Sequence, residues 1–108
     1  MMRETDRRRM LLVDDEEPLL EVMSEFFSAH DYHVDCATEL EEAEALLDHR
    51  SYCVVICDLR LNGSLTAEGL DIVSQIRHTA PDTKIIMLTG HHTEEVEKIA
   101  MRLGVHQL

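Results

Sequence analysis

The sequence predicts one α/β domain in which helices cover both faces of a parallel sheet. Short apolar runs alternate along the chain with segments of helical periodicity, which is the pattern of repeated βαβ units. A chain of 108 residues is long enough for one hydrophobic core and too short for two. Hydrophobic residues make up 44% and charged residues 30% of it, the composition of a folded chain rather than a disordered one.

The first half of the chain is predicted to form two strand–helix units. Residues 1–8 are polar and lack periodicity, so they are predicted to be a leader outside the core. The apolar run 10–13 predicts a strand buried on both faces, and a stripe of apolar residues predicts a helix with Pro18 in its first turn. A second strand is predicted over 32–37. Thr38 and Glu41 then have the spacing of a capping box at the start of a second helix.

The second half repeats the alternation. The run 53–57 is apolar and rich in β-branched residues, and it predicts a third strand that stops at Asp58. A helix that Gly69 opens is predicted to end before Pro81, and 84–88 is predicted to be the fourth strand. Thr93 is predicted to cap a fourth helix that ends at Gly104, which leaves 105–108 as the start of a fifth strand.

The charge of the chain argues against two classes of partner. Twenty-two acidic and ten basic residues give a net charge of -12, which repels both a nucleic-acid backbone and an anionic membrane surface. No apolar stretch approaches the ~18 residues of a membrane span, and the N-terminus lacks the apolar core of a signal peptide. We therefore expect a cytoplasmic protein whose three cysteines are reduced thiols.

Polar side chains follow three of the predicted strands at their carboxyl ends, where open α/β sheets bind ligands. Asp14 and Asp15 follow the first strand, Asp58 the third and Thr89 the fourth. If the first and third strands are neighbours, three carboxylates converge and need a cation, for which an all-oxygen cluster favours Mg²⁺. Because Mg²⁺ commonly binds phosphate oxygens and a carboxylate can act as a nucleophile, the pattern indicates phosphoryl chemistry.

Three motifs together resemble the receiver domain of bacterial two-component response regulators. They read LLVDDEEP, VVICDLRL and IIMLTGH, in this order, and are followed by a predicted helix that ends in LGV. The resemblance covers 9–108 and implies a flavodoxin-like, doubly wound parallel sheet of order 2-1-3-4-5. It implies that the chain is a regulatory domain and not an enzyme. Such a domain assists its own phosphoryl transfer and hydrolysis. A sensor histidine kinase or a histidine phosphotransfer protein would donate the phosphoryl group and an unknown effector would respond.

The resemblance assigns the phosphoacceptor and the metal ligands. Asp58 would be the phosphoacceptor. Asp14, Asp15 and Asp58 would hold Mg²⁺ together with the backbone carbonyl of Arg60.

It also assigns the residues that respond to the phosphoryl group. The Thr89 hydroxyl would bind a phosphoryl oxygen and move toward Asp58, switching the surface near the fourth helix. Gly90 would keep the approach open, since a bulky residue there would crowd the phosphate. His91, two residues after Thr89, is either a residue at the edge of the site that affects hydrolytic water or an exposed loop histidine.

The chain departs from the family at three places. Asn62 stands where members usually have proline four residues after Asp58, and the loop that follows is about three residues longer than usual. Leu108 stands where many members have an aromatic switch residue, and the family's lysine would come three residues after it. We therefore expect a domain truncated in the fifth strand and lacking the last helix, with weak acceptor activity and self-association through the exposed edge.

Two alternatives remain open. A phosphatase of the haloacid dehalogenase type also places an aspartate at a strand end, but it needs a second aspartate where this chain has Arg60. A pseudo-receiver would be an interaction module that works without phosphate. The missing lysine favours the pseudo-receiver, whereas the intact Asp14, Asp15, Asp58 and Thr89 argue against it.

Overall fold

The computed structural model describes residues 8–58 and 67–88, with side chains at 8–57 and 73–86. The strands are β1 Arg9–Val13, β2 His33–Ala37, β3 Val54–Asp58 and β4 Lys84–Leu88, and the helices are α1 Glu17–Ser28, α2 Leu40–His49 and α3 Ala67–Thr79. All strand pairs are parallel and their order is β2-β1-β3-β4. The predicted α/β sheet is thus confirmed over four strands. The predicted leader through residue 7, the loop at Asn62, the fourth helix and the fifth strand lie outside the described residues.

Alternation along the strands divides the core into two clusters, because successive side chains of a strand point to opposite faces. Leu11 and Val55 belong to the cluster that α2 and α3 cover, together with Val73 and Ile76 of α3. The other cluster lies under α1 and contains these residues: Met10, Leu12, Leu20 and Ile56. Burial on both faces explains why β1 and β3 are nearly continuous apolar runs.

The last turn of α1 closes in a Schellman motif. The amide of Tyr32 donates to the carbonyl of Phe27 and the amide of Asp31 donates to the carbonyl of Ser28, both at 3.1 Å. Asp31 has a φ of 69°, and the rings of Phe27 and Tyr32 meet edge to face with centroids 6.1 Å apart. This turn directs the chain from α1 into β2.

The start of α2 corrects the predicted capping box. Glu39, which is extended, precedes the helix and makes no side-chain cap, and the Oε1 atom of Glu42 accepts a hydrogen bond from the amide of Thr38 at 2.9 Å. Because the helix begins one residue later than predicted, Glu42 rather than Glu41 reaches back to Thr38. Similarly, α3 begins at Ala67, two residues before the predicted Gly69.

A group of polar side chains fastens the edge strand β2 to the segment before β3. The Tyr52 hydroxyl donates to Asp35 Oδ2 at 2.7 Å, and Arg50 Nη1 donates to the same atom at 3.1 Å. The hydroxyl of Thr83 donates to the backbone carbonyl of Tyr52 at 2.7 Å, which connects this group to the start of β4. Tyr52 is therefore held by hydrogen bonds at both its side-chain hydroxyl and its backbone carbonyl.

Candidate functional site

The pairing of β1 with β3 brings the predicted acidic residues to one edge of the sheet. Val13 lies opposite Cys57, so that Asp14 and Asp58 are the next residues of two neighbouring parallel strands. Asp58 in turn lies opposite Leu88, the last residue of β4. The neighbour relation on which the predicted site depends is therefore present.

Asp14 is a buried acidic residue, with only 6% of its surface exposed. Its backbone amide donates to the carbonyl of Ala37 at 3.0 Å, and its Oδ1 atom accepts a hydrogen bond from the amide of Glu16 at 2.9 Å. The first bond joins the Asp14 backbone to the end of β2, and the second fixes the carboxylate against the turn before α1. Because burial of a carboxylate is costly unless charge and hydrogen bonds compensate it, this position suits a bound cation. Asp15, next in the chain, is exposed.

An open cleft of about 600 Å³ lies between the turn after β1 and the turn after β2. Its lining consists of Asp15, Glu16, Glu17, Pro18, Thr38 and Glu39. The sequence prediction did not include Thr38 or Glu39 in the site. Both follow β2 directly, so the rule that ligands bind at the carboxyl ends of strands would have found them.

The other predicted site residues lie outside the described part of the chain. This applies to Arg60, Thr89, Gly90 and His91, whereas Asp58 is described in its backbone alone. Among the described side chains, which leave out Asp58, no three His, Cys, Asp or Glu residues form a group of metal ligands. The ligand set assigned from the sequence stays a prediction. No helix within 8–58 and 67–88 has the length and hydropathy to cross a membrane.

Comparison with known proteins gives a family match over almost the whole chain. The profile of the family described as "Response regulator receiver domain" matches residues 10–108. This range contains the carboxyl edge of the sheet with Asp14, Asp15 and Asp58.

Three relatives illustrate the similarity. The photosynthetic apparatus regulatory protein RegA of Cereibacter sphaeroides is 31% identical over 90% of this chain and 51% of its own length. The alginate biosynthesis transcriptional regulatory protein AlgB of Pseudomonas aeruginosa is 33% identical over 89% of this chain and 21% of its own. The chain thus spans about half or a fifth of these curated relatives. The HemR receiver domain from Leptospira biflexa, a solved structure, is 29% identical, with a TM-score of 0.81 over 92% of this chain and 77% of that one.

Proposed function

The chain belongs to the family of response regulator receiver domains, which are phosphorylation-dependent signalling modules of two-component systems, and we propose that Asp58 is its phosphoacceptor. One observation carries the assignment of the residue. Asp58 ends β3 at the point where the neighbouring β1 leads into the buried Asp14, so its backbone lies at the acidic edge of the sheet. The donor in this proposal is a phosphohistidine of a sensor histidine kinase or of a histidine phosphotransfer protein.

Receiver domains generally bind Mg²⁺ for phosphorylation, and the residues at this edge suit that ion. Asp14 is buried and fixed by hydrogen bonds, and Asp15 stands beside the open cleft. In the proposal Asp14, Asp15, Asp58 and the backbone carbonyl of Arg60 hold Mg²⁺, which prefers such oxygen ligands. When bound, the ion supplies positive charge that offsets the carboxylates and the incoming phosphoryl oxygens.

The proposal also assigns the response to phosphorylation. Thr89, which follows β4 in the sequence, hydrogen-bonds a phosphoryl oxygen and moves toward Asp58. Gly90 leaves room for this movement, and His91 lies at the edge of the site. The movement changes the surface near the predicted fourth helix, which an effector reads as one of two states. The domain itself is regulatory, and it assists only its own phosphorylation and hydrolysis.

Charge and thiols support the remaining part of the proposal. The net charge of -12 favours protein partners over direct contact with nucleic acid or a membrane surface. Cys36, Cys53 and Cys57 are not joined in disulfides, which fits a cytoplasmic location. The exposed apolar residues Val22 and Phe26 on α1 support self-association.

The test is phosphorylation of the complete chain, followed by mass measurement. We expect one phosphoryl group to be added by an acyl-phosphate or phosphoramidate donor in the presence of Mg²⁺, and none after chelation. Asp58→Asn should abolish the addition, because the amide is not a nucleophile, whereas Asp48→Asn on the exposed face of α2 should leave it unchanged.

Two results would contradict the assignment. Equal incorporation in Asp58→Asn would move the acceptor to another residue. Failure of the parent chain to accept a phosphoryl group from either donor, with Mg²⁺ present, would favour the phosphate-independent pseudo-receiver. The haloacid dehalogenase alternative has no support from the family match.

A further inference from the structure

The cleft at the carboxyl edge of the sheet has an acidic border, defined here as Glu16, Glu17 and Glu39. All three side chains are exposed and line the cleft of about 600 Å³. The hydrogen bond from the Asp14 amide to the Ala37 carbonyl, 3.0 Å long, joins the two turns that bear them. The border therefore lies at the same edge of the sheet as the backbone of the proposed acceptor.

The basic residues of the described chain lie at the opposite end of the strands. Arg8 precedes β1 and Arg9 begins it, whereas Arg50 follows α2. Arg77 lies in the last turn of α3, and Lys84 begins β4. Helices between parallel strands run back to the amino ends, so all five are remote from the carboxyl edge. Within residues 8–58 and 67–88, the charges beside the cleft are thus negative.

The negative charge of the border matters for a reaction whose other substrate is charged. Exposed charges are screened over about 8 Å at physiological ionic strength, so the nearby border acts on an arriving donor more than the distant cations do. Clefts lined by charges of one sign change association rates by about 10- to 1,000-fold. A dianionic donor is repelled from this cleft, whereas a donor with a cationic group is repelled less.

We propose that the acidic border selects the phosphodonor, by disfavouring small anionic acyl phosphates relative to donors with a positive charge beside the phosphoryl group. The inference rests on the proposed function and adds the class of donor. A phosphohistidine among basic residues of a partner protein belongs to the favoured class. Glu16, Glu17 and Glu39 act here through their charge and take no part in bond making.

Two small donors separate the classes chemically. With acetyl phosphate, the phosphorus–oxygen bond to the acetyl group breaks, a bond from phosphorus to the Asp58 carboxylate forms, and acetate leaves. With phosphoramidate, which carries an ammonium group, the phosphorus–nitrogen bond breaks, the same new bond forms, and ammonia leaves. Both reactions yield the same acyl phosphate, so differences in their rates report the approach of the donor.

The experiment compares two triple variants of the complete chain. The border variant is Glu16→Gln with Glu17→Gln and Glu39→Gln, and the control is Glu44→Gln with Asp48→Asn and Asp82→Asn, exposed residues away from the cleft. Each variant removes three negative charges, changing the net charge from -12 to -9. Second-order rate constants for phosphorylation are measured with each donor at low and high salt.

We expect the border variant to react with acetyl phosphate about tenfold faster than the parent, with a much smaller gain for phosphoramidate. Added salt should accelerate the acetyl phosphate reaction of the parent and of the control more than that of the border variant. A purely structural effect would change both donors alike and leave the ratio of the two rate constants unchanged.

The outcomes separate this inference from the function on which it rests. The inference is overturned if the parent is phosphorylated and the ratio of the two rate constants is the same in all three proteins. It is also overturned if the rate constant for acetyl phosphate increases equally in the border variant and the control. Both results leave the acceptor assignment intact. Absence of phosphorylation by both donors in the parent overturns the proposed function.

Discussion

Tyr52 illustrates how one residue joins distant parts of the chain. Its side chain is 1% exposed, its hydroxyl donates to Asp35 of β2, and its carbonyl accepts from Thr83 beside β4. Burial, and then the hydrogen bond and charge of Asp35, raise the pKa of Tyr52 above its ordinary value. The neutral phenol is therefore the form that the fold stabilises.

Substitution of Tyr52 should lower stability through this one hydrogen bond. Tyr52→Phe should reduce the free energy of unfolding by ~2 kcal/mol, as expected for a lost bond to a charged acceptor. Because the pKa of Tyr52 is raised in the folded state, its contribution is complete below about pH 10 and declines as the pH rises further. Urea denaturation across that pH range should show the decline in the parent and a shallower one in Tyr52→Phe.

Tyr32→Phe is the matched control, since the described contact of Tyr32 is between its ring and Phe27. It should cost less than Tyr52→Phe, because the substitution keeps the ring contact with Phe27. Equal losses in the two variants would mean that the hydroxyl of Tyr52 contributes no specific stability.

At the scale of the element, the turn that ends α1 contains a residue whose own backbone conformation is sterically unfavourable. Asp31 has a φ of 69°, the left-handed region that glycine adopts without steric cost. Asp31→Gly should therefore stabilise the domain by ~0.5 kcal/mol, and Asp31→Ala should destabilise it by ~1 kcal/mol.

Ala29→Gly provides the control in the same turn. Ala29 has a φ of -67°, an ordinary helical value, so glycine should lower stability there by ~1 kcal/mol. Chemical denaturation should rank the variants with Asp31→Gly above the parent and the other two below it. Stabilisation by glycine at both positions would refute the role of backbone strain at Asp31.

At the scale of the whole molecule, an apolar surface and a high charge act against each other. Val22 is 64% and Phe26 57% exposed, and with Leu19 they form a stripe on α1 that the described helices and strands do not cover. Exposed apolar stripes favour association, whereas a net charge of -12 opposes contact between copies of the chain.

Self-association should therefore depend on salt. Light scattering should show an average mass that rises with protein concentration and rises further when salt screens the charge. Val22→Gln with Phe26→Gln should keep the chain monomeric without loss of stability. Glu21→Gln, on the acidic side of α1, should leave self-association in place. A monomeric parent at high salt and high concentration would contradict the proposal.

The sequence predicted the elements that depend on local pattern. Apolar runs located β1, β3 and β4, and helical periodicity with Pro18 located α1, to within one or two residues of the structure. The family resemblance, now confirmed, added the strand order and made Asp14, Asp15 and Asp58 candidates for one site.

Other features depend on contacts between distant residues, which local patterns do not contain. Thr38 has the residue type of a helix cap, but the extension of β2 to Ala37 and the extended Glu39 delay α2 by one residue. Glu39 reaches the cleft because β2 pairs with β1, and Tyr52 finds Asp35 across seventeen residues of sequence. The sequence by itself determined the alternation of elements and the acidic residues at strand ends, since both follow from side-chain period and type. Only the tertiary structure decided which of those residues share the cleft, because strand pairing brings separate turns together.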